Sequence, residues 1–481
     1  MLRTWIPAVV LAFLTLLLPR PVGAQAPVGP QAFQGIWEGT LDAGSARLRL
    51  VLHVTVEEDG SMTGALDSPD QGASGIPATS VAVADGGLVF TIASLAARYE
   101  GKLASDGATL EGTFTQGPAR LPLRLTRVDA PTEPERPQNP REPFPYSVTE
   151  VEIPNLEGGV TLAGTLTVPP GPGPFPAAVL VSGSGPQDRD ETLMGHKPFL
   201  VLADHLTRKG IAVLRYDDRG VGSSTGSFAS ATSRDFASDA LAAVGFLQQR
   251  AEMGAVGIVG HSEGGLVGPL AATLSPQVEY VVMLAGPGVT GEEIIQLQTD
   301  LISRADGADD ALVAANLETQ RRLFAAVRSE PDPDVAAPRL RAILEESVAA
   351  LPPEARQAMG DEAASSALDT QVRQVNSPWF RFFLSYDPRP TLERVTVPVL
   401  ALNGALDLQV PAEVNLREIS DALRRGGNPD FTALQLPGLN HLFQTATSGS
   451  PTEYASIPET MSPTALETVS GWILERFGTP R

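Results

Sequence analysis

Five residues, Gly260-His261-Ser262-Glu263-Gly264, stand between the apolar run 256–259 and a stretch with helical period. A serine between small residues at a strand-to-helix turn has the pattern of a nucleophile elbow. Glycines let the backbone turn tightly without a Cβ clash, and the hydroxyl stands exposed at the helix N-terminus. The plainer alternative is a Gly-rich turn whose serine only caps the helix. A serine hydroxyl is a poor nucleophile until a base takes its proton. In elbows of this kind the partners follow in the chain order serine, acid, histidine. Of the five histidines (His53, His196, His205, His261 and His441) only His441 follows Ser262. It lies in "GLNHLFQ", after a strand-like run. Asp407, in "VPVLALNGALDLQVP", follows a strand between the two and would hold the imidazole in one tautomer. Asp387 in "SYDP" is the second candidate acid; Asp421 and Asp430 read as surface charges. An oxyanion would need two backbone N–H donors. One is expected at Glu263, and the other in the loop "SGSGPQDRD", at Ser184, with Gly183 or Gly185 as alternatives.

These residues need elements to carry them. From 148 onward, buried-strand runs ("AAVLVSG", "IAVLRYDD", "VVMLAG", "VPVLALNG", "FTALQLPG") alternate with helical stretches, including one opened by Ser233 and another from Ser262. That alternation predicts an α/β fold with a mostly parallel central sheet and helices on both faces. Between about 288 and 385 the alternation stops and the period is helical, which predicts a helical cap inserted over the carboxyl edge of the sheet, where such sheets place ligands. Residues 33–128 differ in kind. Leu48, Leu50, Leu52, Val54 and Val56 alternate with polar residues, and Asp-Gly pairs punctuate short strands, as in a small all-β barrel or sandwich. Residues 129–147 hold six prolines and read as a stiff linker. Asp218-Arg219-Gly220 reads as a loop brace with an internal ion pair.

Residues 1–24 have the order of a secretory signal: Arg3, the apolar run 5–18, then Val22-Gly23-Ala24. An uncleaved anchor is the alternative. The expectation is an exported protein, periplasmic or extracellular, with no integral membrane span once the signal is removed. The 481 residues carry a formal net charge of −21, which argues against nucleic acid as a partner. With no cysteine there is no disulfide, thiolate metal site or Cys nucleophile. No metal-binding motif or P-loop stands out, and the expected chemistry needs no cofactor.

The segments "SGSGPQDRDE", "YDDRGVGSS", "GHSEGG", "SPWFRFFLSYDP", "NGALDLQVP" and "GLNHLFQ", in that order, resemble the α/β-hydrolase superfamily over residues 148–481, in a bacterial esterase or serine aminopeptidase-like (S33-type) branch. The resemblance implies Ser262 as nucleophile, Asp407 as acid and His441 as base. It also implies a carboxylesterase acting on small-molecule, short-chain acyl esters. By the same resemblance "SPWFRFFLSYDP" would shape the acyl pocket. Trp379, Phe380, Phe382 and Phe383 suit an ester's alkyl part, with plain core packing as the alternative. Other readings are a serine peptidase, amidase or thioesterase on the same triad, or a cell-envelope binding protein with an inactive hydrolase domain. A peptidase would need acids for a free amino terminus, and Glu292-Glu293 are the local candidates. No motif identifies residues 1–147 or a ligand for the β segment. The catalytic half is expected to work on small esters without residues 25–147.

Overall fold

The computed structural model describes residues 29–478, apart from 43–46, 72, 118, 133–135, 352, 354–355 and 357–360. The expected signal, residues 1–24, lies outside the described residues. Nine strands, β1–β9, run from Gly35–Asp42 to Ala119–Val128 and form one antiparallel sheet. Numbered along the chain as β1 (Gly35–Asp42), β2 (Arg47–Val56), β3 (Met62–Ser68), β4 (Ala73–Pro77), β5 (Ser80–Ala84), β6 (Gly87–Ile92), β7 (Ala97–Leu103), β8 (Thr109–Gln116) and β9 (Ala119–Val128), their spatial order is 4-3-2-1-9-8-7-6-5. This is a half-barrel curled around one core, with Trp37, Leu52, Phe90, Tyr99 and Leu125 fully enclosed. It is a single sheet, not a sandwich of two. In Arg47–Val56 the alternation holds for Leu50, Leu52 and Val54, but Val51 on the opposite face is buried too. The turn Pro69–Gln71 packs on that strand, so its outer face is not left to water.

The second sheet has eight strands: β10 (Ser147–Asn155), β11 (Val160–Val168), β12 (Phe175–Val181), β13 (Ala212–Tyr216), β14 (Met253–His261), β15 (Val281–Leu284), β16 (Val399–Gly404) and β17 (Phe431–Leu436). Their order is β10-β11-β13-β12-β14-β15-β16-β17. The first two strands pair antiparallel, β11 pairs antiparallel with β13, and the remaining pairs are parallel. Every residue of β13, β15 and β16 is buried, which is why these runs are mostly apolar instead of alternating; Arg215 and Asn403 are the polar residues in them. One face is covered by helices Ser233–Gln248, Gly264–Leu274 and Ala412–Arg425, the other by Pro198–Lys209 and Pro463–Phe477. The cap of Ser233–Gln248 is Thr232, not Ser233: the Asp235 carboxylate accepts the Thr232 N–H at 2.8 Å.

Between β15 and β16 the chain forms helices Gly291–Ala305, Asp310–Ser329, Pro333–Ala349, Asp361–Val375 and Pro378–Ser385. They gather a small core of their own around Phe324, Leu340, Phe380 and Leu384. The Pro-rich segment read as a linker also grips loops of the unit built on the second sheet. Arg136 donates to the carbonyls of Met194 at 2.7 Å and of Ala455 and Ile457 at 2.9 Å each. Gln138 donates to the Met461 carbonyl at 2.7 Å.

Candidate active site

Ser262 sits between the end of β14 and the start of helix Gly264–Leu274, which begins two residues later than its sequence pattern predicts. The delay is the elbow itself. Ser262 has φ of +50°, a left-handed conformation that cannot continue a helix. Its N–H donates to the Leu284 carbonyl at 2.8 Å. The flanking glycines serve close approach: a Cβ on Gly260 would lie 2.0 Å from the Gly264 carbonyl oxygen, and one on Gly264 would lie 2.1 Å from that of Val181. Both contacts are impossible for any larger residue.

Asp407 follows β16 and His441 follows β17, on neighbouring parallel strands, so both loops open at the same carboxyl edge as Ser262. His441 Nδ1 lies 2.9 Å from Asp407 Oδ2. Asp407 Oδ1 accepts from the backbone N–H groups of Gln409 and Val410, each at 2.8 Å. Asn403 Nδ2 donates to Oδ2 at 3.4 Å. The carboxylate is therefore fixed on both oxygens. It holds the imidazole with Nδ1 protonated, which leaves Nε2 as the basic nitrogen.

A cavity of about 400 Å³ is lined by Ser262, His441, Ser184 and Glu263 on one side, and by Trp379, Phe380 and Phe383 on the other. Asp407 stands behind His441, outside that lining. The three rings thus face the cavity, but Phe382 stacks on Tyr386 instead. Asp387 is engaged by Arg389 at 2.8 Å, and Asp430 by Arg476 at 2.8 Å. In the loop after β12 the Gly183 N–H donates to Glu191 Oε1 at 2.7 Å, so it is already committed. Gly183 and Ser184 both line the cavity and Gly185 is not part of the lining, so Ser184 is the residue there whose N–H is not bound to Glu191.

Three arrangements escaped the sequence reading. Glu191, within "SGSGPQDRDE", is 5% exposed and lies 2.9 Å from His261 Nδ1. The Glu263 side chain, expected only to follow the nucleophile, is buried. It accepts from Ser233 Oγ at 2.6 Å and from the Trp379 indole N–H at 2.8 Å. Burial pushes its carboxyl up, against the pull of these donors and Ser184. Arg219 does not pair with its neighbour Asp218. It pairs with Asp239 at 2.7 Å, while Asp218 accepts from Ser182 Oγ at 3.0 Å and the Gln187 N–H at 2.9 Å. Burial, with Glu263 and Glu191 nearby, pushes Asp218 up to about 8. The acids considered for a free amino terminus are both occupied elsewhere: Glu293 caps its own helix with Thr290, and Glu292 pairs with Arg328.

Residues 197–324 match the family model described as serine aminopeptidase, S33. That match joins the eight-stranded sheet, the left-handed serine and the acid and histidine on successive loops. The unit from 147 to 478 has the α/β-hydrolase fold. Over 320 residues the chain is 30% identical to Esterase EstD of Thermotoga maritima, an alignment covering 64% of this chain and 66% of that esterase, just under two thirds of its length. Among solved structures, the Pyrococcus furiosus esterase PF2001 aligns at 15% identity with a TM-score of 0.40, over 69% of this chain and 91% of that one. Est1E from Butyrivibrio proteoclasticus with bound ferulic acid aligns at 16% identity and a TM-score of 0.38, over 68% and 98%. Proline iminopeptidase of Mycobacterium smegmatis aligns at 18% and 0.40, over 68% and 98%.

Proposed function

We propose that the protein is a serine carboxylesterase acting on small, short-chain acyl esters through Ser262, His441 and Asp407. The observation that carries the reading is the Asp407-anchored His441 opening onto the same cavity as the left-handed Ser262. The relationship to an esterase over 320 residues supports it. His441 Nε2 takes the Ser262 proton as Oγ attacks the ester carbonyl. The resulting oxyanion is held by the backbone N–H groups of Ser184 and Glu263. The protonated His441 then returns the proton to the leaving alcohol, and the C–O bond of the ester breaks. Water, deprotonated by His441, attacks the acyl-enzyme, and the acid leaves with Ser262 restored.

The helices between β15 and β16 act as a cap in this reading, and Trp379, Phe380 and Phe383 hold the acyl chain. A cavity of about 400 Å³ suits a short acyl group better than a long one. The secretory reading of residues 1–24 belongs to the same proposal, and sequencing the N-terminus of the mature protein tests it. The test of activity is a panel of p-nitrophenyl esters from acetate to palmitate beside aminoacyl-p-nitroanilides, with wild type and Ser262→Ala. Ester turnover should fall with chain length, and Ser262→Ala should lose on the order of 10⁴-fold or more. A purified Ser262→Ala protein that keeps most of its ester turnover overturns the assignment; preference for the anilides would make it a peptidase.

A further inference from the structure

His261, the residue before the nucleophile, is buried at the edge of the cavity and has an oxygen partner at each ring nitrogen. Nδ1 lies 2.9 Å from Glu191 Oε1, and Nε2 lies 3.0 Å from the backbone carbonyl oxygen of His441. A carbonyl oxygen can only accept, and so can a carboxylate. A neutral imidazole carries a single N–H and could satisfy one of the two. With Glu191 ionised, both contacts together require a proton on each nitrogen.

We propose that His261 is held as a buried imidazolium, with Glu191 as its counter-ion, and that it is a positioning residue for His441. Its Nε2–H pins the backbone carbonyl of the proposed base, while Glu191 Oε1, shared with the Gly183 N–H, ties the same ring to the oxyanion loop. One cation thereby sets the spacing between three parts of the site: the elbow, the loop after β12 and the loop after β17. The ring centroids of His261 and His441 are 4.8 Å apart, so a small displacement of one is felt by the other. Burial by itself would favour the neutral ring. The Glu191 charge and its hydrogen bond outweigh it, with the His441 carbonyl and Asp407 adding to them, and the group is shifted upward. Phe443 faces the ring from the His441 loop and carries no charge. Glu191 Oε2 is buried without a partner among the described residues, so the pair with His261 is what compensates that carboxylate.

The inference about positioning rests on the esterase reading; the protonation state does not. The test is ¹⁵N NMR of the histidine-labelled, intact protein, in which the chain has only five histidines and His261→Gln identifies the signal. Both ring nitrogens of His261 should be protonated at pH 7. A single protonated nitrogen at that pH overturns the proposal, whatever the enzyme's activity. For positioning, Glu191→Gln keeps an acceptor for Gly183 but removes the counter-charge. It should strip one proton from His261 and lower kcat on the order of 10²-fold, the cost of a small misplacement of a catalytic group. KM should move by less than about threefold if the substrate pocket itself is untouched. If Glu191→Gln neutralises His261 and leaves kcat unchanged, the positioning role is refuted. If it fails to fold, the wild-type spectrum still decides the protonation state, and kcat of folded His261→Gln decides the role. Activity retained by Ser262→Ala would sink the triad without altering the His261 spectrum.

Discussion

Asp218, Glu263 and His261 all hold a proton more tightly in the folded protein than in the unfolded chain. The sign of their linkage follows. Each contributes stability that is full below its unfolded pKa and is lost as pH rises through its folded one. For Asp218 that window runs from 3.8 up to about 8. Asp217, which burial would raise, is instead held low by Arg189; groups of its kind have finished titrating by about pH 5 and do not oppose the trend. Burial pushes His196 down to about 4 and His205 down as well, and both oppose the trend until pH passes their unfolded value of 6.5. The melting temperature should therefore fall between about pH 6.5 and pH 8. Asp218→Asn, neutral at every pH, should gain on wild type across that interval. Melting both proteins at several pH values checks this, and a difference that stays constant with pH excludes Asp218 as the source. At the same scale, Asp407→Asn would present an amide to His441 Nδ1 and so permit the wrong tautomer. It should lower kcat on the order of 10⁴-fold while the fold persists by circular dichroism.

Among elements, the helix Pro378–Ser385 is joined to the elbow by one polar contact, the Trp379 indole N–H on the buried Glu263 carboxyl. Around it the contacts are apolar: Trp379 stacks on Phe383 with centroids 5.4 Å apart, and Phe380 is packed in the core of the insertion. Trp379→Phe keeps an aromatic ring and removes the donor. It should cost about 1.5–3 kcal/mol, the range for a hydrogen bond to a charged group, and should raise KM for esters as the insertion loosens over the cavity. Urea unfolding and steady-state kinetics read the two effects separately. Unchanged stability would mean that Ser233 and Ser184 satisfy Glu263 without the indole.

At the scale of the whole molecule, the half-barrel and the unit with the α/β-hydrolase fold meet at places that matter to the candidate site. The turn Pro69–Gln71 lies against Pro451–Ser456, in the segment after His441, and the turn Ala93–Leu95 lies against helix Asp361–Val375. Arg136 reaches three carbonyls on the loops at 194 and 455–457. The first of these loops follows Glu191, and the second contains Tyr454, whose hydroxyl accepts from Gln409 in the cavity wall at 3.1 Å. The sequence reading expects the catalytic half to be indifferent to residues 25–147; the Arg136 and Gln138 contacts argue otherwise for the last part of that stretch. A chain beginning at 129 should retain ester turnover. One beginning at 148, or full-length Arg136→Ala, should melt lower and lose kcat/KM several-fold, since three carbonyls lose a charged donor. Equal activity of the chains beginning at 129 and 148 would restore the original expectation.

Much of this protein was legible in one dimension. An elbow needs glycine where a Cβ would strike backbone, so Gly260 and Gly264 advertise Ser262 from five adjacent residues. The period of two separates the half-barrel from the alternating strands and helices that follow. Chain order left His441 alone, and Asp407 stood on the loop before it; the structure gathers all three at one edge of the sheet. These features depend on local backbone rules and on chain order, and both are written along the sequence. Only the tertiary structure decided the buried polar partners. His261 meets Glu191 across 70 residues, Trp379 meets Glu263 across 116, and Arg219 passes over its neighbour Asp218 for Asp239. Such partners are chosen by which groups the closed fold brings within hydrogen-bond distance. A buried charge must find one there, because water is no longer available to take its place.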